Sequence, residues 1–316
     1  MEHQLELVAG LAVGLATTFA VIPWLITKLR EKGMVGEDLN KPHKPKIAEM
    51  GGIAVVIGFF AGISVALVLD GVANKELLYV SLSAVLGAAF IGILDDLFEL
   101  RQRQKAFFPF LLALPLGAAL SSVIYVPFIG EIDFGVLMII GAPFAITCAA
   151  NAGNMLEGFN GLGTGLGIIM AGTLIILGLH HNRLDGLYIL APLMGCLIAF
   201  LWFNKYPAKI FPGDTLMLFM GAAIAVGGML SNLYIQTSVI FLPMIIEFFL
   251  KFRGNFKAEN YCSDAANGHL EYKGRIESLT HVFMKRFKLS ERGLVTIVCS
   301  LEIILCATVV VIDLMV

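Results

Sequence analysis

The stretch LLYVSLSAVLGAAFIGIL, residues 77–94, runs without a charge and then breaks into DDLFELRQRQK, residues 95–105. An apolar run of about 18 residues or more suits a helix crossing the hydrocarbon core of a bilayer. The acidic and then basic run after it suits a membrane surface. Working outward, similar windows recur at roughly 5–27, 50–69, 107–126, 134–150, 161–180, 186–204, 215–233, 235–250 and 293–313. Hydrophobic residues make up 58% of the 316 and charged residues 15%, against about 25% charged in soluble domains. A soluble globule could not hide that much apolar surface. The sequence therefore predicts an all-α polytopic membrane protein with about ten transmembrane helices, forming a single domain over 1–316.

Loop charges predict the orientation. Of 22 Lys and Arg, only Lys75 and Arg183 fall outside one alternating set of loops. Basic loops stay cytoplasmic, so both termini are expected outside, with function on the cytoplasmic surface of the membrane. The net charge of −2 gives no support to a nucleic-acid partner. The five cysteines show no CxxC or zinc spacing, which implies neither a disulfide framework nor a metal cluster. GxxxxGK[ST], HExxH and GxSxG are all absent.

Polar clusters concentrate in the basic loops. Asp95 and Asp96 end the window quoted above, where exposed helix carbonyls disfavour carboxylates. A pair there makes sense if cationic groups compensate, and neighbours about 100° apart on a helix serve different partners. Asn151, Asn154, Glu157 and Asn160 recur every three residues in NAGNMLEGFNGL, on one drifting helical face. Oxygen donors of this kind suit Mg²⁺ or the edge of a base. In FPGDT (211–215), Asp214-Thr215 reads either as an N-cap for the next helix or as a ligand-facing pair. Phe211 offers a stacking face. The loop EDLNKPHKPKIAEMGG (37–52) joins Asp38, Asn40 and four basic or imidazole side chains to Glu49. The last loop, 251–292, reads as a small hairpin with DAANG at its tip. A basic helix over 276–289 follows, and the whole subregion is expected to cover the active site. Glu247 and Glu302 are membrane carboxylates without an assigned partner.

DLNK…KIAEMGG, GILDDLFELRQRQK, NAGNMLEGFNGL and KYPAKIFPGDT, in that order, resemble the polyprenyl-phosphate N-acetylhexosamine-1-phosphate transferases of glycosyltransferase family 4. DLNK (38–41), RQRQK ending in Lys105, and FNGL with Asn160 are most similar to the eukaryotic and archaeal UDP-GlcNAc–dolichyl-phosphate branch. The bacterial phospho-muramoyl-pentapeptide branch carries aspartate at the Asn160 position and a histidine-rich motif in the last loop, which is absent here. Glu157 departs from both branches, and 251–292 lacks the Pro-Arg-His-Arg run of the eukaryotic enzymes.

The resemblance implies an enzyme moving GlcNAc-1-phosphate from UDP-GlcNAc to a polyprenyl phosphate, with UMP released. This is the first step of lipid-linked oligosaccharide synthesis for N-glycosylation. It implies Mg²⁺ as cofactor, with Mn²⁺ as a substitute, held by Asn154 and Asp214. Asp95, Asp96, Lys105 and Asp214 would form the catalytic group. Glu49, Asn160, Phe211, Arg253 and Lys257 would bind substrate. The partners are the UDP-sugar and the lipid phosphate, with a homodimer left open. The setting is a cell membrane of archaeal type or the endoplasmic reticulum membrane. Two alternatives stand beside this reading: a bacterial-type phospho-sugar transferase, and, from another class, a transporter or lipid flippase.

Overall fold

The computed structural model describes residues 2–69, 72, 74–126, 128–257, 259–263 and 268–315. The chain opens with α1 (Glu2–Glu31), a small hairpin β1 (Val35–Glu37) and β2 (Lys46–Ala48), then α2 (Gly52–Val68), α3 (Lys75–Phe98) and α4 (Gln102–Ala119). A second hairpin, β3 (Val123–Val126) and β4 (Gly130–Asp133), leads to α5 (Leu137–Met155), α6 (Leu162–His180), α7 (Leu187–Asn204) and α8 (Gly213–Leu230). The chain ends with α9 (Tyr234–Ile240), α10 (Leu242–Arg253), α11 (Leu279–Arg286) and α12 (Glu291–Met315). Both hairpins are antiparallel.

Every apolar window falls on a helix, but not every helix is a clear span. Among the described residues seven helices are long and apolar enough to cross a membrane, or eight if α9 and α10, bent by 55°, make one. Ten were expected. Helix α2 is apolar but has only 17 residues. Helix α4 begins with the polar run Gln102–Lys105, and its window stops early because Val123-Ile124-Tyr125-Val126 turns into a strand. β-Branched and aromatic residues favour that outcome. The break between α9 and α10 falls beside Pro243 in the first turn of α10, where the missing N–H suits a helix start.

Helix α8 is the axis of the bundle. In its apolar window 83% of residues are buried, against 22% in α12. A helix apolar all round belongs in a core, and α2, α3, α5 and α7 surround α8. The approach is close at its first turn. A Cβ on Gly92 would lie 2.5 Å from Thr215 Cα, and one on Gly52 2.3 Å from the Leu216 nitrogen. These glycines let α2 and α3 touch the backbone of α8. That contact brings Asp95 and Asp96, one turn beyond Gly92, to the start of α8.

The hairpin expected in 251–292 falls partly outside the described residues. Residues 264–267 of the DAANG tip lie outside the described residues, and its flanks form no named strands. What joins them is the Ser263 N–H donating to the Glu271 carbonyl at 2.8 Å. Leu270 bridges instead to Leu289. The expected basic helix shortens to α11, anchored by buried Thr280, His281 and Met284.

Candidate active site

The four sequence clusters converge on one cavity of about 520 Å³ at the end of the bundle that carries the basic loops. Glu49, Asp95, Asp96, Lys105, Asn154, Asn160, Phe211 and Asp214 all line it. The floor is an ion-paired triad. Lys105 Nζ lies 2.9 Å from Asp214 Oδ2 and also pairs with Asp95 Oδ2. The other oxygen of Asp95 accepts from the Leu100 N–H at 2.8 Å, which holds the turn after α3. Asn154 lines the cavity beside Asp214. Asn151 fixes the start of α4, donating to the Lys105 carbonyl at 3.3 Å and to the Thr147 carbonyl at 2.9 Å.

The two adjacent aspartates do different work. Asp96 accepts from the Asp214 N–H (2.7 Å), the Thr215 N–H (3.0 Å) and the Thr215 hydroxyl (2.5 Å). It therefore caps α8 from another helix, meeting amide donors that no α8 side chain serves. The N-cap reading of Asp214-Thr215 is thus corrected: with the amides taken by Asp96, the Asp214 side chain faces Lys105. Gly213 makes this possible. It sits at φ +67°, and a Cβ there would meet the Asp96 carboxylate at 2.6 Å. Glu157 repeats the device, accepting from the Gly163 N–H at 2.9 Å at the start of α6. Glu247 does so again for α11, accepting from the Leu279 N–H at 2.7 Å and the Ser278 hydroxyl at 3.1 Å.

Phe211 is placed by backbone pairing, its N–H donating to the Ala48 carbonyl at 2.8 Å and its carbonyl accepting from Gly51 at 2.9 Å. Asn160 is held at backbone and side chain, by Glu291 at 2.8 Å and Asp38 at 3.1 Å. Arg253 and Lys257 are exposed and stand outside the cavity lining, Arg253 donating to the Ile276 carbonyl. In their place the same segment contributes Lys251, Glu259, Asn260 and Tyr261 to the lining. Lys251 donates to the Met155 carbonyl at 2.6 Å, and Asn260 to the Met155 and Glu157 carbonyls at 2.7 and 2.5 Å. No spacing in the sequence singles these residues out.

A protein of Saccharolobus solfataricus, provisionally named a UDP-N-acetylglucosamine–dolichyl-phosphate N-acetylglucosaminephosphotransferase, is 38% identical over 98% of this chain and 97% of its own. The glycosyl transferase family 4 model matches residues 77–232. The chain belongs to glycosyl transferase family 4. Two further relatives are more distant. The phospho-N-acetylmuramoyl-pentapeptide-transferase of Borreliella burgdorferi is 31% identical over 73% of this chain and 78% of its own. The UDP-N-acetylglucosamine–dolichyl-phosphate N-acetylglucosaminephosphotransferase of Schizosaccharomyces pombe is 30% identical over 74% of this chain and 64% of its own.

Within this family 4 cavity the charge balance is lopsided. Nine carboxylates line it against two lysines, Lys105 and Lys251. Burial, with the Asp96 and Asp214 charges nearby, holds the Glu49 carboxyl above its usual range. Burial pushes the Glu157 carboxyl up to about 7, against the Gly163 and Gly158 amides that favour its ionised form. Among the described residues no three His, Cys, Asp or Glu side chains gather as a metal-ligand set. The donors at hand are oxygens of Asp214, Asn154 and their neighbours. Such a set fits Mg²⁺, which takes one or two carboxylates and completes its shell with substrate phosphates and water.

Proposed function

We propose that this chain transfers N-acetylglucosamine-1-phosphate from UDP-N-acetylglucosamine to a polyprenyl phosphate of the dolichyl type, releasing UMP. The observation that carries the reading is Lys105, shared by Asp95 and Asp214 on the floor of a cavity among apolar helices. The names of the archaeal and yeast relatives support the substrates.

The chemistry asks little of a general base. A phosphomonoester has its second pKa at about 6, so the lipid phosphate is largely dianionic near neutrality. Its oxygen attacks the phosphorus that carries the sugar. The bond from that phosphorus to the bridging oxygen breaks, and UMP leaves with the electron pair. Catalysis is then positioning and charge neutralisation. Lys105 neutralises phosphate oxygens, and Asp95 holds Lys105 toward Asp214. Asp96 positions the first turn of α8 rather than touching phosphate. Asp214 and Asn154 would hold Mg²⁺, or Mn²⁺ in its place, which supplies the positive charge that the acid-rich cavity lacks. Phe211 and Asn160 receive the uracil, with Glu49 nearby.

The loop charges support ten crossings with both termini outside, α2 and α4 being the two that fall short of a clear span in length or in apolar character. The cavity then faces the cytoplasm, at a cell membrane or at the endoplasmic reticulum.

The test uses purified protein in uniform detergent micelles with UDP-GlcNAc and a short-chain polyprenyl phosphate. UMP should appear, and the lipid should gain the mass of N-acetylglucosamine phosphate. A transporter releases no UMP in micelles, and unmodified lipid would overturn the proposal. Offering the muramoyl-pentapeptide nucleotide in parallel separates the bacterial-type activity, for which the reading predicts no product.

A further inference from the structure

Beside the triad, Asp38, Lys41 and Glu291, from two distant segments, close a ring with Asn160. Its backbone N–H donates to Glu291 Oε1 at 2.8 Å, and its side-chain amide nitrogen donates to Asp38 Oδ2 at 3.1 Å. Lys41 pairs with Asp38 and reaches Glu291 Oε2 at 3.2 Å, which ties the two acceptors together. Asp38, Asn160 and Glu291 are 4%, 6% and 5% exposed. The ring joins the first basic loop, the turn before α6 and the start of α12.

This ring decides which way the Asn160 amide faces. An ionised carboxylate is acceptor-only, and Asp38 is paired with a lysine. The NH₂ of Asn160 must point at it, because the flipped amide would set oxygen against carboxylate. The backbone bond to Glu291 removes the freedom to adjust by moving the main chain. The amide oxygen is therefore the edge left over. Among the described residues no donor reaches it, and both Asn160 and Asp38 line the cavity.

An acceptor in that position suits a base with an N–H on its edge. Uracil has one at N3, flanked by carbonyls; cytosine presents a lone pair at N3 and carries its edge donor one position over, at the N4 amine. We propose that Asp38 is a specificity-determining residue: by fixing the Asn160 amide it makes the cavity select a uridine over a cytidine nucleotide. The inference rests on the UDP-sugar reading above. Asp38 acts through Asn160, so it is a positioning residue rather than a catalytic one. A purely structural role for Asp38 would weaken both nucleotides alike and leave their ratio untouched.

The experiment measures UMP and CMP affinities for the full chain in detergent, in wild type and in Asp38→Asn. Asparagine at 38 can meet either face of the Asn160 amide, so the flip becomes free. The UMP-to-CMP affinity ratio should fall about tenfold or more, the scale of one lost polar discrimination. A ratio that survives in Asp38→Asn overturns the inference and leaves the UDP-sugar reading standing. Wild type that binds UMP and CMP alike overturns both. Should Asp38→Asn fold poorly, the wild type decides with N3-methyl-UMP, which lacks the N–H. It should bind no better than CMP, and binding equal to that of UMP overturns the inference.

Discussion

The wall of the cavity and the segment that flanks it use charge in opposite ways. The wall is made of helix ends: α3, α4, α5 and α8 bring Asp95, Asp96, Lys105, Asn154 and Asp214 together. There the acids outnumber the cations: Asp95, Asp96 and Asp214 gather around a single lysine, Lys105. In the flanking segment polar groups are largely spent on the protein itself. Arg253 holds the Ile276 carbonyl, Lys251 the Met155 carbonyl, and His281 the Glu259 carbonyl at 2.9 Å. The His281 ring also stacks on Tyr272 at 3.5 Å, and burial pulls its pKa down to about 4, so it sits there neutral. The difference teaches where to look for chemistry. A surplus of negative charge marks the wall, and balanced, satisfied charge marks a clasp that holds the wall's neighbours in place.

Breaking the wall should therefore cost most. Lys105→Ala leaves Asp95 and Asp214 facing each other with no cation between them. UMP release should fall about a hundredfold or more, the scale of losing one electrostatic stabiliser of a transition state. A loss below tenfold would place Lys105 outside the chemistry.

Asp96→Ala should come next, with a different signature. It removes a cap made across helices, worth about 1–2 kcal/mol at ordinary N-termini, so both thermal stability and UMP release should drop. Asp96→Asn keeps acceptor oxygen and should recover most of the stability. If both variants unfold exactly as wild type does, the cap is not what Asp96 supplies.

A pH experiment sharpens the contrast at Glu157. Its carboxyl titrates at about 7 in the fold against 4.5 ordinarily. Between those values the folded state binds more protons than the unfolded one, so stability should fall as pH rises through that window. Glu157→Gln should flatten this slope in detergent melts from pH 4.5 to 8.

The smallest effect belongs to the clasp's outer face. Arg253→Ala should change kcat/KM less than about threefold, as for exposed positions away from a site. A tenfold loss would bring Arg253 into the binding machinery.

Much of the wall was legible in the sequence because its residues violate a local rule. Asp95-Asp96 at a helix C-terminus and polar side chains every third residue in 151–160 are costly without partners, and Asp95, Asp96, Asn154, Glu157 and Asn160 line the cavity. What remained hidden depends on contacts with no spacing signature. Asp96 caps a helix 118 residues away, Glu247 one 32 residues away, and Lys41 pairs with a carboxylate 250 residues away. Nor does local pattern show that Gly92 and Gly213 exist to let these partners meet. The strand Val123–Val126 falls inside the apolar window 107–126, since Val, Ile and Tyr serve a strand and a span equally well.

The account turns on Asp214 as the carboxylate that the Asp96 cap frees to face the cavity. The most direct measurement is UMP release by Asp214→Ala in detergent, with UDP-GlcNAc and a short-chain polyprenyl phosphate, titrated with Mg²⁺. The account predicts a loss of about a hundredfold or more with the metal response abolished or shifted to higher concentration. Activity within about threefold of wild type, with Mg²⁺ dependence intact, would contradict it.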